Sequence, residues 1–453
     1  MKLLKLLLVL VIIVGILLAG AAVFINHKLQ SPEVKRLVLN AANDALGTQV
    51  QINDLHISLF SGITLRGVTI ANPEGFTGSL LTAEEFVLRY NLWPLLRKRV
   101  QIETLALRKP VITLLRNDKG QWNYDQIGAK SAAAATTTTA QTTAPAPAAP
   151  PATHKAGLDI TLSKLALENA EIVILGEKNK ELARIRNLSV TSKLQTSGSQ
   201  MEGSGNASIE TLSAANSLFA RNIAAPIKMS AEHVALAPLS GTLAGGAVSG
   251  DVGLKLTGGF QYSVDIKVKD GDMAQLLQEA GAKPVLTGKL QAETSLLGTG
   301  GLATMNGHGK LEIVNGTLIG VPLLETLALL LQINELRNLR FTECRFEFTM
   351  ADNQMPTPVI RVVSPQVQIT GKGVVSLEDY SLNHEMTLAV APDLLTKVPS
   401  EIRDIFKKQP DGFLAITFHV TGPYDNPKND IKETLLKGAA GSLIQKGIQK
   451  LFK

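Results

Sequence analysis

The chain has little of what most active sites are built from. Its single cysteine, Cys344, excludes an internal disulfide, and one thiol gives no firm sign of a redox compartment. Aromatic residues make up only 4 % of 453 positions against 45 % hydrophobic residues overall, so any core must be aliphatic. The seven histidines, His27, His56, His154, His233, His308, His384 and His419, never share a helical turn or a metal-ligand spacing. They read as surface or internally satisfied residues. No G-x-S-x-G nucleophile elbow occurs. Gly281 to Lys289 fails as a phosphate loop, with six residues between its glycines and Leu290 where a magnesium-binding Ser or Thr is required. Gly203-Ser204-Gly205 opens no helix, which excludes a dinucleotide fingerprint. Glu84 and Glu85 lack a partner for acid–base work. These absences point to a binder or conduit without cofactor or metal, not to an enzyme. A net charge of +6, from 45 basic and 39 acidic residues, is mild and unclustered, which excludes a nucleic-acid partner.

What is present begins with a long apolar run. Residues 6–25 carry no charged or strongly polar side chain, about the 20 residues a helix needs to cross a bilayer. Leu6, Leu10, Ile13, Leu17 and Ile25 are the expected anchor residues, and Lys2 and Lys5 favour a cytoplasmic N-terminus. A cleaved signal peptide is the alternative, with Ala19, Gly20 and Ala21 as an A-x-A-like site. The run continues through Val23, Phe24 and Ile25, which favours an uncleaved anchor over residues 1–26.

Beyond the anchor the period changes. Ser31 to Leu46 reads as an amphipathic helix, with Pro32 in its first turn and Gly47 as its stop. Ile57, Leu59, Ile63, Leu65, Val68 and Ile70 then alternate with polar residues, as strands do. Asn72 to Gly75 and Asn117 to Gly120 are turn signals. Residues 130–157 are almost wholly Ala, Thr and Pro, a composition that buries no core and prefers extended chain. The stretch is predicted to be a linker between a β unit at 27–129 and a larger one at 158–426. Short alternating runs fill the larger unit, interrupted by helices expected at Asp272–Ala280, Leu323–Arg337 and Asp393–Lys408. The predicted fold is mainly β with few helices: a single transmembrane helix followed by one long curled antiparallel sheet.

Residues 427–453 form a basic amphipathic helix in this reading, with Ile431, Leu435, Leu436, Leu443, Ile444 and Ile448 largely on one face. It either packs on the body's own sheet or touches an anionic bilayer through Lys446, Lys450 and Lys453.

Several segments together resemble the AsmA family of bacterial envelope proteins. They are the anchor, Leu55 to Phe76, Leu107 to Leu114, Asp118 to Tyr124, Gly309 to Leu318, the apolar helix around Leu327, and Val420 to Pro427. The resemblance implies an inner-membrane anchor, a periplasmic body and a role in outer-membrane homeostasis. It also implies likeness to bridge-like lipid transfer proteins, whose curled sheets form an apolar groove. On that basis Ile57, Leu59, Ile63, Leu65, Val367 and Ile369 are candidates to line a groove for phospholipid. A competing reading is a non-catalytic structural or assembly factor that binds outer-membrane or other envelope proteins.

Overall fold

The computed structural model describes residues 32–58, 62–91, 99–127, 159–197, 200–257, 261–299 and 304–438. The anchor candidates Leu6, Leu10, Ile13, Leu17 and Ile25 lie outside the described residues. So do Leu59, the Ala/Thr/Pro stretch, and Lys446, Lys450 and Lys453. No described helix is long and apolar enough to cross a membrane. The chain is mainly β, with 21 strands among the described residues, as the alternating runs predict. It forms two compact units. Unit 1 comprises Met1–Leu239 with Leu254–Phe260, and unit 2 comprises Ser240–Gly253 with Gln261–Lys453.

Unit 1 opens with α1 (Pro32–Leu46), followed by β1 (Val50–Ser58), β2 (Gly62–Ala71), β3 (Ser79–Asn91), β4 (Arg99–Arg108) and β5 (Val111–Leu115). Next come β6 (Asp159–Leu175), β7 (Glu181–Ser197), β8 (Gln200–Ala214) and β9 (Leu218–Ser230). The unit divisions fall within β10 (His233–Leu243) and β11 (Gly246–Lys255). Val38, Ala42 and Leu46, spaced by four, bury one stripe of α1 in the core. Gly47, at φ +70°, ends the helix with its N–H on the Asn43 carbonyl. The Asn43 side chain then accepts the Val50 N–H at 2.7 Å, tying helix to strand.

Strands β1, β2, β3 and β4 pair antiparallel in chain order. Pro110 has no N–H to give to a ladder, so β4 and β5 are two halves of one line. β3 pairs with both halves, and so does β6, which runs parallel to them. This corrects two expectations. The sheet is not purely antiparallel, and residues 130–157 do not separate two units, since the strands before and after them pair within unit 1. A parallel neighbour requires a crossover of a dozen or more residues, and the Ala/Thr/Pro stretch is that connection in sequence. From β6 the strands pair antiparallel again through β7, β8 and β9.

A row of left-handed residues crosses unit 1: Gly67 in β2, Lys109 between β4 and β5, Asn169 in β6, Asn187 in β7 and Asn222 in β9. The pairs Arg66–Glu85, Glu85–Arg108 and Arg108–Glu168 hold the first of these at one level. Gly and Asn are the residues that adopt this backbone at least cost. At this level the in–out alternation shifts by one residue in several strands while their pairing register holds. Ile52 and Leu55, Leu65 and Val68, and Ala83 and Phe86 are three apart, yet all belong to one core.

Unit 2 continues with β12 (Gln261–Asp272), α2 (Met273–Glu279), β13 (Leu286–Gly298), β14 (Asn306–Ile319), α3 (Pro322–Leu331), β15 (Asn338–Met350) and β16 (Gln354–Val363). It ends with β17 (Val367–Ser376), β18 (Ser381–Val390), α4 (Ser400–Arg403), β19 (Lys407–Lys408), β20 (Leu414–Pro423), β21 (Lys428–Asn429) and α5 (431–438). β12 to β18 pair antiparallel in chain order, and β20 pairs with β18. Asp272 caps α2 as predicted, accepting the Gln275 N–H at 3.0 Å. The helix expected over Leu323–Arg337 stops at Leu331, where Gln332 turns left-handed, and resumes as a 3₁₀ turn. The helix expected over Asp393–Lys408 is a 3₁₀ turn, a four-residue helix and a short strand. Pro399 interrupts it, because the residue before a proline is pushed out of helical backbone. At the start of the tail, Ile431 and Leu435 are buried in the unit's own core while Leu436 is exposed.

Candidate functional site

The sheet of unit 2 has one charged face and one apolar face. On the charged face Lys267, Glu293, Lys310 and Glu347 stand side by side across β12 to β15, alternating in sign. Unit 1 has the same device, with Asp54, Arg66, Glu85, Arg108 and Glu168 in register across five strands. Arg66 Nε lies 3.4 Å from Glu85, which also binds Arg108, and Arg108 Nε lies 3.1 Å from Glu168. Opposite charges on neighbouring strands favour their own register and penalise slips.

On the apolar face of unit 2 the registers define parallel rows. Leu290, Ile313, Cys344, Val362, Ile369, Leu388 and Ile416 form one continuous row. It belongs to a closed core with Leu324, Leu327, Ala328 and Leu331 of α3, with Leu395, and with Ile431. Burial, and then the neighbouring Glu343, push the Cys344 thiol up to about 11, so it is an inert packing group. Further along the same strands, still on the same face, stand Val264, Ile266, Leu296, Phe346, Phe348, Ile360, Met355, Val375 and Leu382. All nine are only half-buried, and none belongs to the closed core.

Glycines shape this open stretch. A Cβ on Gly309 would sit 2.4 Å from the Phe348 ring, one on Gly371 2.2 Å from Met386 Sδ, and one on Gly373 2.6 Å from the His384 ring. Each large side chain therefore lies down across the glycine of the next strand instead of standing up. The result is an apolar surface with few projections. Within it, Thr357 Oγ1 and His384 Nε2 are 2.7 Å apart, and both residues are buried. Burial pushes the His384 imidazole below the usual histidine range, so it is neutral near pH 7.

The groove candidates named from sequence fall elsewhere. Ile57 and Ile63 are buried in the closed core of unit 1, and Leu65 packs at its margin. Val367 is fully buried in the closed core of unit 2, and Ile369 packs against it. Ile57, Ile63 and Val367, enclosed by their own protein, offer no surface to a ligand, so the expectation that they line a groove is corrected; Leu65 and Ile369 are partly buried at the margins of these cores. The half-open residues were missed because they share the same alternating pattern. The only added signal is the glycine opposite each large neighbour, and that requires the register.

The segments behind the family resemblance in unit 1 turn out to be structural. The Asn123 amide is fully buried. It accepts from Leu115 N and donates to Thr113 O at 2.7 Å and to Asn72 Oδ1 at 2.8 Å. Three sequence motifs thus meet on one side chain. A cavity of about 370 Å³ in unit 1 is lined by Lys109, Val111, Asn169, Glu171, Arg186 and Asn187. Lys109 there is ion-paired to Glu84 at 2.7 Å, which holds the Glu84 carboxyl below its usual range.

No curated protein and no solved structure matches the chain. A family model described as the AsmA family matches residues 1–231, just over half of the 453 residues and ending at the turn after β9. The segments Gly309–Leu318 and Val420–Pro427 lie beyond that match. The chain belongs to the AsmA family.

Proposed function

We propose that the chain is a non-catalytic envelope protein, held in the inner membrane by residues 6–25, whose periplasmic body binds phospholipid acyl chains on the open apolar face of unit 2. Its role would be to move or hold lipid for outer-membrane homeostasis. One observation carries the reading. Nine large apolar side chains on the β12–β18 face stay only partly buried and outside the core that the helices close. A monomer rarely leaves an apolar surface of this kind open without a use.

Dimensions and energetics support it. From β12 to β20 there are seven strand pairings, so the face spans about 34 Å at about 4.8 Å per step. One acyl chain reaches about 15 Å, half of a bilayer's hydrocarbon core. Exposing a 16-carbon chain to water costs on the order of 10 kcal/mol, at about 0.8 per CH₂. A surface without upright side chains lets the hydrocarbon slide without meeting a barrier at each strand. Family membership agrees with an envelope role.

The test is to purify the full chain in mild detergent and identify what comes with it by mass spectrometry. Stoichiometric phospholipid, and uptake of a fluorescent phospholipid, are expected. Lipid-free protein that takes up none would overturn the reading. A stable envelope-protein partner recovered by cross-linking instead would favour the assembly-factor reading.

A further inference from the structure

The one buried polar pair on the apolar face has an unused edge. His384 Cγ and Cδ2 are the atoms nearest Gly373, and Nε2 meets Thr357 on the strand beyond. Nδ1 and Cε1 lie farther from the Gly373 Cβ position than Cγ and Cδ2 do. Nδ1 has no hydrogen-bond partner among the described residues. It is not sealed either, for the only sealed and unpartnered polar side-chain atom among the described residues is Ser192 Oγ, in unit 1.

The proton has a preferred place. A neutral imidazole carries one N–H, and Thr357 is fully buried. If Nε2–H donated to Thr357, the threonine hydroxyl proton would be buried with no acceptor, at the cost of an unmade hydrogen bond. If Thr357 donates to Nε2, every buried group is satisfied and the N–H stands on Nδ1. The neighbouring positions on the same face, Met355, Val375, Met386 and Val420, are all apolar. A hydrogen-bond donor fixed in such surroundings fits a ligand that is hydrocarbon on both sides of a single acceptor.

We propose that His384, held by Thr357, is a polar foothold on the apolar face, donating from Nδ1–H to the acyl carbonyl oxygen of a bound lipid. This rests on the reading of the face as an acyl-lipid surface. It adds a residue that recognises the joint between chain and headgroup. The carbonyl belongs either to an ester-linked phospholipid or to a free fatty acid.

The experiment uses the full chain in detergent and measures displacement of a fluorescent fatty acyl probe. Dioleoyl phosphatidylglycerol is compared with its diether analogue, which has no carbonyl oxygen, and oleate with oleyl alcohol. The wild-type chain should favour the carbonyl-bearing member of one pair by roughly fivefold, the size of one net hydrogen bond. The pair showing the preference identifies the source. His384→Leu should bring the ratio to one. So should Thr357→Val, which keeps the imidazole but removes the partner that fixes its proton. His384→Gln should restore part of the preference. Melting curves of each variant check that it folds. Equal binding of both members of both pairs overturns the foothold and leaves the lipid surface standing. So does a preference that survives Thr357→Val and His384→Leu in folded protein. Binding of none of the four overturns the lipid surface as well.

Discussion

The row Ile57, Ile63, Leu88 and Leu105 in unit 1 and the stretch Val264, Ile266, Leu296 and Ile360 in unit 2 use the same aliphatic side chains on the same kind of strand. In unit 1 the four are exposed by 7, 3, 0 and 2 %. They share a cluster with the buried stripe of α1 and interlock across β1, β2, β3 and β4. In unit 2 the four are only partly buried, and none of them belongs to the core that the helices close. Strand composition thus decides that a face is apolar. Whether the face becomes a core or a binding surface depends on how far a covering element reaches along the strand. Ordinary hydrophobic burial stabilises the first, while on the proposed reading the second keeps part of that free energy available for a ligand.

The largest effect that separates the two should come from truncation. Leu88→Ala is expected to cost about 3 kcal/mol, since it empties a fully buried site. Ile360→Ala should cost less than about 1 kcal/mol, having less burial to lose, and yet reduce bound lipid. Denaturant unfolding of the two variants, with lipid content measured alongside, checks both; equal costs would erase the distinction. Next in size is Gly309→Val. It should cost about 2 kcal/mol by driving Phe348 off the sheet, and it should lower lipid uptake by roughening the surface. A loss of stability with unchanged uptake would show that smoothness is irrelevant.

Acidification should touch unit 2. The folded state lowers the His384 pKa below its unfolded value of 6.5, so its neutral form is the one that folding favours. That contribution is complete above pH 6.5 and is lost as pH falls below it through the folded value. The melting temperature should therefore decline on going from pH 7.5 toward pH 5, and His384→Gln should flatten the decline. The smallest effect belongs to the charged face. Glu85→Gln, between Arg66 and Arg108, should cost about 0.5 kcal/mol in dilute buffer and nearly nothing in 1 M salt.

Much of this architecture was legible before any coordinates. The helix at Pro32–Leu46, the Asp272 cap and the turn at Asn117–Gly120 follow from local chemistry, and the β class follows from alternation. The role of residues 130–157 was not legible, because an unstructured composition looks the same in a linker and in a crossover. Nor was the row of left-handed residues. Asn169 and Asn187 carry no distinctive signal in the sequence, and only the backbone and the pairing show them at one level of the sheet. The groove candidates failed for a related reason. Alternation marks Val367 and Val375 alike as inward-facing, but only the first lies under the cover. His384 was passed over as a scattered histidine, since its partner Thr357 is 27 residues away and two strands over.

The most direct measurement places a photoreactive benzoylphenylalanine at Ile360 in one version of the full chain and at Leu436, exposed outside the apolar face, in another. Both are irradiated in the presence of phospholipid vesicles, and the modified peptides are weighed. An adduct of phospholipid mass at position 360 with little at position 436 is the expected result. Equal labelling at both, or none at 360, would contradict the assignment of this face to acyl lipid.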